Sequence, residues 1–171
     1  MHRVVRALRL NNSVKRRGSR LTHTTNIFIY MANLEEVAKL VQDTYANIWR
    51  GWYAEHPGCV PATVTVNLNC TSAGYGHKFN LIIISFADGN LDDCDILNPE
   101  AWPIWKTDLI HEMLHEYERK ILTKPSDAGR ALFAAHPHPV WGPGHEEMFY
   151  TAICDKAPFF HFTPLELIGH I

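Results

Sequence analysis

The stretch Asp108-Leu109-Ile110-His111-Glu112-Met113-Leu114-His115-Glu116 constrains this chain most, because it sets His-Glu-x-x-His inside a helical pattern. Residues four apart on a helix share a face, so His111 and His115 can turn both imidazoles toward one metal ion. Glu112, beside the first of them, would then lie at the metal's open position and act as a base toward water. Zinc suits this donor set best. Ile110, Met113, Leu114, Tyr117 and Ile121 recur at i, i+3, i+4, i+7 and i+11, an apolar stripe for the core. Asp108, His111, Glu112, His115 and Arg119 fall on the other side, so the helix is expected to pack with one face and bind with the other.

With 171 residues, 46% of them apolar, the chain can bury one core and is short for two. Its formal charge of −2 is unevenly spread. Residues 1–30 hold seven of the sixteen basic residues and no acid, leaving nine basic against eighteen acidic residues from position 31 onward. That acidic remainder argues against non-specific nucleic-acid binding by the folded part alone. Cys59, Cys70, Cys94 and Cys154 are scattered without a Cys-x-x-Cys pair, so neither a zinc ribbon nor a disulfide framework is encoded, and a reducing compartment is expected. No apolar run approaches the roughly 18 residues of a membrane span, and Met1 to Leu10 lacks the apolar block of a secretory signal. A cytoplasmic protein without a membrane partner is expected, with a nuclear location left open for a eukaryotic source.

Arg3, Arg6, Arg9, Lys15, Arg16, Arg17 and Arg20 give residues 1–30 a composition that predicts disorder. A nucleic-acid arm, an organelle leader, and sequence upstream of a true start at Met31 are the three readings, and the third is favoured. Residues 31–171 form the expected domain. Asn33 with Glu36 predicts a helix start, and Leu34, Val37, Ala38, Val41, Tyr45, Ile48, Trp49 and Trp52 trace one face down to His56-Pro57-Gly58. Trp49 and Trp52 read as core. Residues 62–70 alternate as a half-buried strand, 71–79 read as a loop carrying His77, and Asn80 to Phe86 is a second strand. Asp88, Asp92, Asp93 and Asp95 lack a calcium-loop spacing and read as a solvated acidic loop. Pro103 suits the first turn of the His-Glu-x-x-His helix, which runs to about Leu122. Ser126 to Ala135 predicts a short helix, His136-Pro137-His138-Pro139 an extended loop wall, and residues from Glu146 through Ile153 a further helix. Thr163-Pro164-Leu165-Glu166 is a capping box opening a last helix.

A helix, two strands, a His-Glu-x-x-His helix and a later helix with a third ligand make an α+β order similar to the zincin metalloproteases. Within them the chain resembles the SprT-like family, which includes the Spartan proteases. His111-Glu112-Met113-Leu114-His115 carries the resemblance together with Gly144-His145-Glu146-Glu147-Met148-Phe149, which is similar to that family's Gly-His-Gly-x-x-Phe patch. The resemblance implies a zincin-like core, with a small, mostly antiparallel sheet packed with an N-terminal helix, the His-Glu-x-x-His helix and a C-terminal third-ligand helix. It further implies a zinc metalloendopeptidase acting on protein or peptide substrates, with His111, His115 and His145 as ligands and Glu112 as general base.

Glu146 stands where the family has glycine, and the family's cysteine-rich ribbon is missing. A gluzincin-type site with Glu146 or Glu147 as third ligand therefore stays open, as do an inactive zinc-binding module and a nucleic-acid-associated adaptor built on the basic arm. Gly142-Pro143-Gly144 is a turn able to bring His145 to the metal helix, whereas the helix dipole already accounts for Glu146 and Glu147. Glu116 is expected to support His115 from behind. A peptide would lie extended along an edge strand drawn from residues 62–70 or 80–86.

Overall fold

The computed structural model describes residues 22–68, 72–86, 102–138 and 140–171, with side chains from Leu34 onward. Helix α1 spans Thr22–Trp52. Strands β1 (Thr63–Asn67), β2 (Gly74–Gly76) and β3 (Leu81–Ser85) follow, and then α2 (Ile104–Ile121), α3 (Asp127–Ala135), α4 (Glu147–Lys156), a 3-10 turn (Ala157–Phe160) and α5 (Pro164–His170). The chain is α+β.

Helix α1 begins earlier than the Asn33–Glu36 pattern suggests. No glycine or proline interrupts residues 22–50, so nothing stops the helix from continuing upstream of Met31 to Thr22. Val37, Val41, Tyr45, Ile48 and Trp52 are its buried face, at the anticipated spacing. Residues 1–21 and the Asp88–Asp95 cluster lie outside the described residues.

The sheet is mixed, in the order β1-β3-β2, and departs from the mostly antiparallel expectation. β1 and β3 run parallel from Thr63↔Leu81 to Asn67↔Ser85, while β2 pairs antiparallel with β3 from Gly74↔Ile83 to Gly76↔Leu81. The cause is β2, hidden in a stretch too short and glycine-rich to read as a strand. It takes the far edge of β3, so the chain enters β3 in the direction of β1. Asn80 sets this entry: its left-handed φ of 48° closes the turn after β2, its amide donates to Pro61 O at 2.8 Å, and its carbonyl accepts from Thr63 N at 2.8 Å. Among the described residues the edges are therefore β1 and β2, and residues 80–86 form the centre.

Ile82 and Ile84, both fully buried, meet Val37 and Val41 of α1 and Leu109, Ile110, Met113 and Leu114 of α2 in one apolar cluster. Phe149, Tyr150, Ala152 and Ile153 of α4 and Leu167 of α5 join it. α2 is thus held by the sheet, α1 and α4, and burial of its stripe fixes which way its histidine face points. Among the described residues, no helix is long and apolar enough to cross a membrane.

Candidate metal centre

His111 and His115 stand one turn apart on α2, which starts after Pro103 and contains no helix breaker. His145 arrives from a separate turn. Gly144 has φ of +99°, a conformation that glycine adopts at little cost, and it swings the chain so that His145 faces α2 just before α4 begins. The three rings form a compact group. His145 Nε2 lies 2.8 Å from His111 Nε2 and 3.0 Å from His115 Nε2.

The opposite ring nitrogens explain what this group can do. His145 Nδ1 donates to Gly142 O at 3.0 Å, and His115 Nδ1 meets Glu118 Oε2 at 3.3 Å. His111 hydrogen-bonds the backbone of Ile171, and because its Nε2 faces the group we assign that bond to Nδ1. With every Nδ1 acting as a donor, three Nε2 lone pairs face one another. Such an array repels itself unless a cation lies among the nitrogens, and this is the arrangement that metal-binding imidazoles take. Nitrogens around a tetrahedral zinc lie roughly 3.3 Å apart, so a small outward rotation of the rings fits the group to the ion. The donor set suits a metal that favours imidazole.

Electrostatics point the same way. Burial, with the neighbouring His115, His145 and His138, pushes His111 down to about 3. Burial also lowers His145, partly offset by its bond to Gly142. Both rings are neutral at pH 7, so protons do not compete for the ligand nitrogens.

Aromatic rings shape the surroundings. Phe149, fully buried, lies beneath all three imidazoles, with centroids 5.0 Å from His111, 4.5 Å from His115 and 4.9 Å from His145. Trp141 makes a wall 5.4 Å from both His111 and His145. Trp141 also stacks on His138 at 4.2 Å. The Tyr150 hydroxyl holds this strap by accepting from His138 N at 2.8 Å and donating to His136 O at 2.9 Å.

Glu112 is 8% exposed, and its carboxylate accepts a backbone hydrogen bond from Tyr75 of β2. Burial raises its pKa, while His115 and the Tyr75 bond pull the other way. A buried carboxylate held by a backbone N–H beside His115 is placed to exchange a proton with a neighbouring group.

Other candidates fall elsewhere. Neither Glu146, the N-cap of α4, nor Glu147 in its first turn joins the histidine group. His77 is exposed in the β2–β3 turn, and His136 and His138 belong to the strap wall. Glu116 does not support His115. It points about 100° round the helix, where it accepts from the Tyr45 hydroxyl, Ala62 N and Lys120 Nζ. The carboxylate at His115 is Glu118, whose i+3 spacing from His115 was the available signal. Trp141 and Tyr150 carried no comparable signal, because their contacts depend on how the 136–146 segment folds back. No protein-family model, no curated protein and no solved structure matches this chain.

Proposed function

We propose that this protein is a zinc-dependent metallopeptidase of the SprT-like type. The observation that carries the proposal is the convergence of three Nε2 atoms from His111, His115 and His145, each ring oriented by an acceptor on its other nitrogen, beside the carboxylate of Glu112. A zinc ion supplies Lewis acidity toward water and toward the scissile carbonyl. His111, His115 and His145 would hold it, and Phe149 beneath them excludes water from the inner side of the rings. Glu112 takes the proton from the attacking water and delivers it to the departing amine nitrogen. The Tyr75 N–H fixes the carboxylate in place for both transfers.

The substrate class is an extended peptide. β2 is a sheet edge adjacent to Glu112, and a peptide strand adding to that edge would bring its backbone past the site through main-chain hydrogen bonds. The acidic balance of residues 31–171 favours peptide over nucleic acid as the molecule bound at this domain.

The test pairs metal analysis with turnover of a mixed peptide library by the purified protein. The parent should carry about one zinc and cleave. Glu112→Gln should keep the metal and lose activity by a factor of about 100 to 10,000. Residual activity within about tenfold of the parent removes Glu112 from the mechanism. A metal-loaded parent that cleaves nothing refutes the peptidase reading. Loss of zinc on Glu146→Ala or Glu147→Ala, with retention on His145→Ala, replaces the three-histidine site by a gluzincin-type one.

A further inference from the structure

We propose that Glu118 is a positioning residue of the metal site: its carboxylate, hydrogen-bonded to His115 Nδ1, sets the orientation and donor strength of that ligand. The inference rests on the metal-binding reading above and not on the peptidase reading.

The three imidazoles have unequal partners. Those of His111 and His145 are the backbone at Ile171 and the Gly142 carbonyl, which no side-chain change removes. Among the described residues, His115 alone is oriented by a side chain, and that side chain is an anion. The pair is sheltered, with side chains 20% and 12% exposed, so water weakens the interaction less than it would on an open surface.

Helix geometry gives Glu118 this role and denies it to Glu116. Position 118 is three residues after His115 and lies about 60° from it round the helix, on the side of the histidine face. Position 116 lies about 100° away, where Glu116 is committed to Tyr45, Ala62 and Lys120. The two neighbouring glutamates thus divide the work, one holding the ligand and the other holding the helix. A carboxylate on Nδ1 keeps the proton there, which leaves Nε2 free for the metal and makes it a stronger donor.

The experiment measures zinc affinity by competition with a chromophoric chelator, and the visible spectrum of the cobalt-substituted protein, for the parent, Glu118→Ala, Glu118→Gln and Glu116→Gln. Glu118→Ala should weaken zinc binding about 10- to 100-fold and alter the cobalt bands, since the ring at His115 is no longer fixed. Glu118→Gln keeps an acceptor oxygen without the charge and should lose less, by about three- to tenfold. Glu116→Gln should lower the melting temperature and leave the cobalt spectrum of the folded protein as in the parent. If Glu118→Ala does not fold, the near-isosteric Glu118→Gln decides.

Zinc affinity within about twofold of the parent and an unchanged cobalt spectrum in a folded Glu118 variant overturn the proposal. So does a parent that holds no metal. A parent that binds zinc and cleaves no peptide retires the peptidase reading and leaves this one intact, whereas a cleaving parent with an indifferent Glu118→Ala retires this one alone.

Discussion

The Tyr45 hydroxyl reaches both carboxylate oxygens of Glu116, at 3.0 and 3.1 Å, joining α1 to α2 across 71 residues of chain. Ala62 N donates to the same hydroxyl at 2.6 Å and to Glu116 Oε1 at 3.1 Å, and Lys120 Nζ binds Glu116 while also donating to Val60 O at 2.6 Å. The carboxylate is fully buried, yet several donors satisfy it. Three parts of the fold meet here: α1, the approach to β1, and the metal helix.

Removing Glu116 takes the acceptor from the buried Tyr45 hydroxyl, and one of two acceptors from the Ala62 amide and from the sheltered Lys120 ammonium. Glu116→Ala should therefore cost about 3–5 kcal/mol in urea unfolding. Tyr45→Phe should cost about 1–3 kcal/mol, because the buried Glu116 carboxylate loses a donor and the Ala62 amide loses its shorter acceptor. Losses no larger than that of Glu35→Ala, an exposed carboxylate on α1, would show that this network does not hold the helices together.

The α2 stripe and the α1 face were legible because their apolar spacing matches one helical period; most of both is buried, while Leu34, Ala38, Trp49 and Ile121 are only partly so. His111 and His115 were legible for the same reason, since one helix contains both. His145 could be reached only through a second short patch, because the sequence does not state how Gly144 turns. The mixed sheet was not legible: β2 is three residues long with two glycines, and a hydrophobic pattern cannot announce a strand of that kind. Glu116 and Glu118 are both carboxylates beside His115, and periodicity could rank them only by angle. Tyr45, 71 residues away, takes the first and leaves the second for the histidine.

A close approach of α3 to α4 supplies another test. A Cβ at Gly129 would lie 2.1 Å from Thr151 Oγ1, 2.7 Å from Thr151 N and 2.8 Å from Thr151 Cα. Two of these atoms are backbone, so the helices must separate. Gly129→Ala should destabilise the protein by about 1–3 kcal/mol, although alanine is favoured over glycine in a helix by about 1 kcal/mol. It should also weaken zinc binding, because α4 carries Phe149 beneath the histidines. A stabilised Gly129→Ala protein would contradict this packing.

Alkaline stability reports on buried phenols. Burial and Asp155 push Tyr117 up to about 12, and burial with Glu116 raises Tyr45 and Tyr53 further. Above the ordinary value of 10.0 the unfolded chain gives up protons that the native state keeps, so stability is full below pH 10 and falls as pH rises. The slope should be about 1.4 kcal/mol per pH unit for each phenol. Lys156, lowered by burial, acts in the opposite sense only below its ordinary 10.5, and so leaves the slope above that pH unchanged. The Tyr53 hydroxyl is buried without a partner among the described residues, so Tyr53→Phe should be neutral or slightly stabilising at pH 8 and should flatten the alkaline slope by one phenol's share. Unfolding curves at pH 8 and pH 11 decide it.

Metal removal gives the last prediction, and its logic lies in the nitrogen array itself. The lone pairs of His111 and His115, held 2.8 and 3.0 Å from that of His145, gain nothing from one another, so bringing the three imidazoles together opposes the packing that assembles them. A bound ion reverses that. A zinc ion that binds the folded site far better than the unfolded chain would, at a free concentration of about 1,000 times its dissociation constant, add about 4 kcal/mol of stability. For a domain of this size that corresponds to a melting temperature higher by about 10 °C. Chelation should remove the increment and zinc should restore it. His145→Ala should abolish most of it, since the nitrogen common to both short contacts is lost. Glu147→Ala should keep it in full, because that side chain lies in the first turn of α4 outside the histidine group. A melting temperature indifferent to zinc in the parent protein would mean that the three imidazoles are brought together for some purpose other than holding a metal.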